Sequence, residues 1–242
     1  MAPVSTATKP PIRQPRSSKQ QSMRTRVKIC GLTREADIAS AVQAGADAIG
    51  FVFYPPSKRY VSPARAAQLR RTVPAFVDVV ALFVNASQAE IRAVLDEVGP
   101  DLLQFHGDET AADCARYGTR YLRAFRAGAP GLDAPQTLAD ACRAFDGAAG
   151  WLFDSYSAGY GGSGQAFDHS LLAAVRADAA ARPVILSGGL NAANVEQAIS
   201  VNRPWAVDVS SGVETAPGEK SPAKIRELCA AVRRADDRLR GE

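Results

Sequence analysis

A cysteine at the end of a predicted buried strand is the first residue of this sequence that could do chemistry. The run RVKIC, residues 26–30, ends with Cys30. Lys28 shares the face of Cys30 because side chains alternate along a strand, and it lies about 6 to 7 Å away. At an effective dielectric constant of about 20, this charge favours the thiolate by about 2 kcal/mol. We therefore predict that Lys28 pairs with an inward acid such as Asp208 and helps to depress the pKa of Cys30. Cys30 would then act as a general base. The alternative is that Cys30 is an ordinary thiol packed in the core.

An aspartate has a comparable position in another predicted strand. Asp154 ends the apolar run GWLFD, and the glycine-rich stretch GYGGSG, residues 159–164, follows soon after it. A carboxyl group at the mouth of an apolar site can give a proton and take it back. A turn-forming or helix-capping aspartate is the alternative, and the same ambiguity applies to Asp208, which lies further inside its strand.

Two glycine-rich loops indicate a phosphate site. They are SGGLNAANV (187–195) and DVSSGVE (208–214), and each follows a predicted strand. Glycine lets backbone N–H groups approach an oxyanion closely, and serine hydroxyl groups add further donors. Ordinary tight turns would explain one such loop more easily than two. The predicted phosphate-binding residues are Gly188, Gly189, Ser210, Ser211 and Gly212.

The loop PPSKRY (55–60) carries two basic residues, Lys58 and Arg59. A pair of this kind is ordinarily solvated at the surface. If the ligand bears a carboxylate, however, the planar guanidinium of Arg59 can hold it through two parallel hydrogen bonds, which a lysine cannot do. The residues alone leave both interpretations open.

Short apolar runs alternate with longer segments of helical period from residue 26 onward. The predicted strands are 26–30, 47–53, 76–84, 101–106, 119–125, 150–154, 183–188 and 206–211. The predicted helices are 34–44, 62–72, 87–98, 109–117, 134–145, 168–180, 191–200 and 221–237. Eight strand-then-helix units predict a single (β/α)8 TIM barrel of the α/β class, because an open doubly wound sheet would carry a glycine-rich first turn that is missing here. In such a barrel nearly all of these candidate residues fall at the carboxyl-terminal ends of the strands, where active sites lie.

Composition limits the classes of function. Residues 1–23 contain no acidic residue and carry the whole net charge of +4, so we predict a disordered basic tail followed by one domain over residues 24–242. Because this domain then has no net charge, we predict that it has no nucleic-acid surface. No apolar run is long enough for a membrane span or a secretory signal, which predicts a cytoplasmic protein without membrane contact. The four cysteines lack the spacing of a disulfide scaffold or a metal site.

The motifs together resemble one enzyme family. KICGLTR (28–34), GADAIGFVFYPPSKRYVS (45–62), LLQFHGDE (102–109), FDSYSAGYGGSGQAFD (153–168), LSGGLNAANV (186–195) and AVDVSSGVETAPGEKSPAKI (206–225) are similar to N-(5′-phosphoribosyl)anthranilate isomerases of tryptophan biosynthesis. The resemblance implies an Amadori rearrangement without a cofactor, acting on a small sugar-phosphate substrate. It implies that Cys30 is the general base, that Asp154 is the general acid, that Arg59 holds the anthranilate carboxylate, and that the two glycine loops hold the phosphate.

Some residues depart from the family pattern, and some questions stay open. Gln165 and His169 stand where relatives often have lysine and tryptophan, which bears on the packing of a lid and on affinity. His106 ends a strand and either touches the ligand or is a hydrogen-bonded structural residue. The alternatives in function are the Amadori isomerase of histidine biosynthesis and a noncatalytic phosphometabolite-binding barrel. Either a monomer or a homodimer is compatible with the sequence.

Overall fold

Eight parallel strands close into a barrel in the computed structural model, which describes residues 24–156 and 167–241. Each strand pairs with the next one along the chain, and the eighth pairs with the first. The strands are β1 (Arg26–Cys30), β2 (Ala48–Val52), β3 (Asp78–Phe83), β4 (Leu102–Phe105), β5 (Tyr121–Ala127), β6 (Gly150–Ser155), β7 (Val184–Leu186) and β8 (Ala206–Val209). The predicted (β/α)8 barrel is confirmed, and the doubly wound alternative is wrong because a closed sheet has no edge strands.

A helix follows each strand on the outside of the barrel. The helices are α1 (Glu35–Ala44), α2 (Pro63–Arg70), α3 (Gln88–Val98), α4 (Ala111–Ala115), α5 (Pro135–Arg143), α6 (Ala173–Ala177), α7 (Val195–Asn202) and α8 (Pro222–Gly241). A 3-10 turn, His169–Leu172, precedes α6. None of the helices in the described ranges is both long and apolar enough to cross a membrane.

Side chains cap the amino-terminal ends of α2, α3 and α4. Ser62 caps α2 by accepting from the backbone N–H of Arg65, and Ser87 and Glu90 form a reciprocal capping box at the start of α3. Thr33, whose position shortly before α1 is one where a helix cap would be expected, does not cap this helix. Its hydroxyl group instead donates to the carbonyl oxygen of Gly218, 3.0 Å away in a later loop.

Several boundaries differ from the sequence-based expectation, chiefly where side chains bond to the backbone. The predicted helix 168–180 is reduced to a 3-10 turn and α6, which ends at Ala177. The carboxylate of the next residue, Asp178, accepts from the N–H of Ala180. Such local bonds compete with helical ones.

After β8 the chain also forms a small antiparallel hairpin that was not predicted. Its strands are β9 (Glu214–Ala216) and β10 (Glu219–Lys220).

The alternation of side chains along the strands produces two apolar layers. Outward residues such as Ile29, Phe51 and Trp151 are fully buried between barrel and helices. Inward residues fill the barrel, where those nearest its amino-terminal end form an apolar floor. The residues of this floor include Val80, Leu102, Leu122, Ala124, Leu152, Ile185 and Ala206. The interior therefore turns polar only towards the carboxyl-terminal ends of the strands.

The predicted tail, residues 1–23, and most of the loop after β6, residues 157–166, lie outside the described residues. The division of the chain into a disordered tail and one domain stays a prediction.

Candidate active site

A cavity opens at the carboxyl-terminal end of the barrel. Strand ends and the loops that follow them supply its walls, as the barrel fold requires. The lining residues are Cys30, Val52, Tyr54, Ser57, Arg59, Leu82, Val84, Gln104, His106, Asp154, Ser187, Gly188, Gly189, Leu190, Asp208, Val209, Ser210 and Ser211.

A buried ion pair lies beneath the cavity. Lys28 and Asp208 occupy paired positions of the neighbouring strands β1 and β8, so both side chains point into the barrel, and Lys28 Nζ donates to Asp208 Oδ1 at 2.8 Å. Burial disfavours the charged form of Lys28, but its attraction to Asp208 and Cys30 outweighs burial and raises the pKa of Lys28. The predicted pairing of Lys28 with Asp208 is confirmed, and Lys28 keeps its charge inside the barrel.

Cys30 lies directly above this pair and opposite Gly50 of β2. A Cβ atom at Gly50 would come within 2.8 Å of Cys30 Sγ, so only glycine leaves room for the thiol here. Burial raises the pKa of Cys30, and the opposing effects of Lys28 and Lys220 do not cancel it. Lys28 therefore lowers the pKa of Cys30 as predicted, but the pKa still lies above its ordinary value, because Cys30 is only 5% exposed and desolvation of the thiolate dominates.

Asp154 is the last residue but one of β6, and its two carboxylate oxygens have different surroundings. Oδ1 accepts from the N–H of Ser155 at 2.8 Å, whereas Oδ2 lies 3.4 Å from Nε2 of His106. His106 is in turn 3.3 Å, through Nδ1, from Nε2 of Gln104, a fully buried neighbour on β4. His106 thus faces both the cavity and Asp154, and its side chain is orientated from behind by Gln104.

Arg59 reaches the cavity from the loop after β2, but one edge of its guanidinium is already occupied. Nε and Nη2 donate to the two carboxylate oxygens of Glu214, at 2.8 and 2.7 Å. This parallel pair is the arrangement that the sequence analysis expected for a ligand carboxylate. A ligand would therefore meet the other edge, which carries Nη1.

The two predicted phosphate loops lie side by side at the cavity. Gly188 and Gly189 have φ values of +83° and +63°, a conformation that favours glycine and turns the backbone sharply after β7. Ser210 and Ser211 line the cavity from the loop after β8. Gly212 is not one of the lining residues: it packs against the carbonyl oxygen of Leu190 so closely that a Cβ atom would clash, and thereby holds the two loops together.

Sequence reasoning missed three polar residues: Gln104, which lines the cavity, and Glu214 and Lys220, which lie behind it. Glu214 and Lys220 lie on the unpredicted hairpin β9–β10 and form an ion pair of 2.7 Å, and Gln104 lies within β4. The signal for the hairpin was available in the turn residues Pro217 and Gly218. The signal for Gln104 was a polar residue within an otherwise apolar strand.

The two departures from the family pattern have different outcomes. Gln165 lies outside the described residues. His169 starts the 3-10 turn and packs against the ring of Phe167, while its Nδ1 atom lies 3.0 Å from the amide nitrogen of Asn202. Burial lowers the pKa of His169. The effect of either residue on the lid or on affinity stays a prediction.

The closed barrel and its cavity, which joins a thiol, a carboxyl group, an arginine and two glycine loops, define an acid–base enzyme of the (β/α)8 class. The family model described as N-(5′-phosphoribosyl)anthranilate (PRA) isomerase matches residues 27–231. The chain belongs to this family. It is an isomerase of tryptophan biosynthesis, and the expectations of family, fold and enzyme class are confirmed.

Individual relatives agree with the family match. An N-(5′-phosphoribosyl)anthranilate isomerase of Bordetella petrii is 84% identical over 219 residues, which make up 90% of this chain and all of that protein. The crystal structure of the Thermotoga maritima phosphoribosyl anthranilate isomerase is 39% identical, has a TM-score of 0.77, and the match covers 86% of this chain and 98% of that one. A further isomerase structure holds reduced 1-(o-carboxyphenylamino)-1-deoxyribulose 5-phosphate, with 37% identity, a TM-score of 0.74 and the same coverage of both chains.

Proposed function

We propose that the cavity binds N-(5′-phosphoribosyl)anthranilate and converts it into 1-(2-carboxyphenylamino)-1-deoxyribulose 5-phosphate, with Asp154 as the acid and Cys30 as the base. The observation that carries this proposal is that Cys30 of β1 and Asp154 of β6 line the same cavity, although 124 positions separate them in the sequence. An acid and a base on opposite sides of one sugar suffice for an aldose-to-ketose rearrangement.

The lining of the cavity supports one orientation of the substrate. The phosphate lies on the loops that follow β7 and β8, where backbone N–H groups and the hydroxyl group of Ser211 can donate. The aromatic ring lies against the apolar wall of Val52, Leu82 and Val84, and its carboxylate meets the edge of Arg59 that carries Nη1. The pentose then spans the space between Cys30 and Asp154.

The reaction needs two proton transfers at these residues. Asp154 in its protonated form donates to the ring oxygen of the sugar as the bond from that oxygen to C1′ breaks, and the nitrogen lone pair forms a Schiff base. Cys30 as thiolate removes the proton from C2′, and the electron pair moves towards nitrogen to give an enolamine. Loss of the C2′ hydroxyl proton and protonation at C1′ then yield the ketone. His106, which faces Oδ2 of Asp154, is placed to orientate that carboxyl group.

Turnover of freshly made N-(5′-phosphoribosyl)anthranilate, followed by the loss of its fluorescence, tests the proposal. The unmodified protein should consume the substrate, and Cys30→Ala and Asp154→Asn should each lower kcat by a factor of about 10³ while keeping most of the affinity for the reduced product analogue. A protein without turnover under reducing conditions would overturn the assignment. Unaltered turnover in both variants would remove the proposed roles of Cys30 and Asp154. The oligomeric state and the cytoplasmic location stay predictions.

A further inference from the structure

A buried carboxylate behind the cavity, that of Glu214, bonds to two charged side chains. Glu214 is not a lining residue, and its side chain is only 6% exposed. Its Oε1 atom accepts from Arg59 Nε at 2.8 Å, from Lys220 Nζ at 2.7 Å and from the N–H of Gly218 at 3.3 Å, and its Oε2 atom accepts from Arg59 Nη2 at 2.7 Å. Both oxygens are thus committed to fixed donors.

These contacts fix the direction in which Arg59 points. A guanidinium is planar and rigid, so two parallel bonds to Glu214 determine the orientation of its plane as well as its position. Glu214 takes the edge formed by Nε and Nη2. The edge that carries Nη1 is left for the cavity, which Arg59 lines.

The same carboxylate is tied to the other end of the site through Lys220. The side chain of Lys220 has no exposed area, and its Nζ atom donates to the carbonyl oxygen of Ser210 at 3.1 Å as well as to Glu214. The hydroxyl group of Ser210 donates to the carbonyl oxygen of Cys30 at 3.0 Å. One buried network therefore connects Arg59, the phosphate loop after β8 and the end of β1.

The charge of Glu214 is maintained in this position. Burial opposes its ionised form, but the hydrogen bonds from Arg59 and Lys220 outweigh burial and hold the pKa of Glu214 below its ordinary value. Glu214 is therefore a carboxylate at neutral pH, which the parallel bonds to Arg59 require.

We propose that Glu214 is a positioning residue for substrate recognition: it holds the guanidinium of Arg59 with one edge towards the cavity, so that this edge selects a ligand that carries an aromatic carboxylate. This inference rests on the proposed function, because it takes the carboxylate of the substrate to lie on Arg59. The predicted effect is on affinity for the carboxylate and not on the proton transfers, which belong to other residues.

Two ligands that differ by one group test the proposal in the full-length protein. The first is the reduced product analogue, reduced 1-(o-carboxyphenylamino)-1-deoxyribulose 5-phosphate. The second is the same compound made from aniline, which lacks only the carboxylate. Glu214→Gln should weaken binding of the first by about tenfold or more, the effect of losing charge-assisted hydrogen bonds, and that of the aniline compound by less than about twofold. With the natural substrate, KM should rise and kcat should change much less.

A second background separates positioning from a merely structural role. In Arg59→Met protein, which has no guanidinium to orientate, adding Glu214→Gln should cause no further loss of affinity for the carboxylate-bearing analogue. Glu214→Asp keeps the charge on a shorter side chain, so it should give a smaller loss than Glu214→Gln for the same ligand. It also serves as the test if Glu214→Gln does not fold.

The outcomes distinguish this proposal from the one it rests on. Equal losses for both analogues, or additive losses in the Arg59→Met background, would overturn the role of Glu214 even though the unmodified protein turns over its substrate. Absence of turnover in the unmodified protein would overturn the proposed function instead. A selective loss for the carboxylate-bearing analogue that disappears in the Arg59→Met background is the result expected.

Discussion

Lys28 Nζ and Asp208 Oδ1 lie 2.8 Å apart within the barrel, and the side chains of both residues are at least 90% withdrawn from solvent. A buried pair of this kind is costly to break, because the remaining partner becomes an unpaired charge in a low-dielectric interior. The pair also sets the electrostatic environment of Cys30 directly above it. Two predictions follow from these two consequences.

The first prediction concerns stability. Lys28→Met and Asp208→Leu should each lower the free energy of unfolding by about 3 to 5 kcal/mol, since each leaves a buried charge without its partner. The double variant should lose less than either single variant, because it removes both charges and supplies apolar side chains. Urea denaturation at neutral pH measures all three. Losses that simply add in the double variant would contradict the prediction.

The second prediction concerns the reactivity of Cys30. Removal of the Lys28 charge takes away an effect that favours the thiolate, so the pKa of Cys30 should rise further in Lys28→Met. Alkylation of the peptide that contains Cys30, followed by mass spectrometry at a series of pH values, gives the midpoint. Lys58→Met removes an exposed lysine from the neighbouring loop and serves as the control. An unchanged midpoint in Lys28→Met would remove Lys28 from the electrostatics of the site.

The unmodified protein has a pH dependence of its own. Because burial raises the pKa of Cys30 above its ordinary value of 9.0, the alkylation midpoint should lie above pH 9.0 in the absence of ligand. An alkylation midpoint below pH 9.0 would show that burial does not dominate at this thiol.

Gly50 should be required for the position of the thiol. A Cβ atom there would lie 2.8 Å from Cys30 Sγ, so Gly50→Ala must displace the side chain of Cys30. We expect kcat to fall by about 10²-fold, the effect of a displacement of about 1 Å at a reacting group, in a protein that still folds. Gly241→Ala, at a position where a Cβ atom meets no neighbour, is the control. Equal kcat values for the two variants would argue against this packing constraint.

His169 should make stability depend on pH. Burial lowers the pKa of His169, so the unfolded chain binds a proton at a higher pH than the folded protein does. The contribution of His169 to stability is therefore present above the ordinary pKa of 6.5 and is lost as the pH falls below it. His169→Phe keeps a ring beside Phe167 and should reduce the difference in unfolding free energy between pH 5 and pH 8, measured by urea denaturation. The same difference in both proteins would exclude His169 as its source.

Patterns along the chain predicted the features that depend on neighbours in sequence. Ser62 and Ser87 cap their helices because a capping side chain bonds to an N–H group three residues later. Because side chains alternate along β1, Lys28 and Cys30 were predicted to share one face. The repeated unit of strand and helix predicted the barrel. The barrel in turn predicted that Lys28 pairs with Asp208, as the structure shows. Each of these inferences needs only a local rule or the symmetry of the fold.

Features that depend on distant contacts were not predictable in this way. Thr33 bonds to Gly218 rather than capping α1, and Arg59 is held by Glu214 from a hairpin more than 150 residues away. The net rise in the pKa of Cys30 was unpredictable for the same reason. The effect of Lys28 was calculated along one strand, whereas the desolvation that outweighs it comes from all the strands around the thiol.

The sequence by itself determined the family, the barrel, and the residue types that can act as acid, base, carboxylate clamp and phosphate cradle, because these follow from periodicity and from short motifs. Only the tertiary structure decided how far each of these groups is desolvated, which edge of Arg59 faces the cavity, and which buried partners hold Arg59 and Asp154 in place. The physical reason is that burial and orientation are sums over neighbours in space, and residues far apart in the chain supply most of those neighbours.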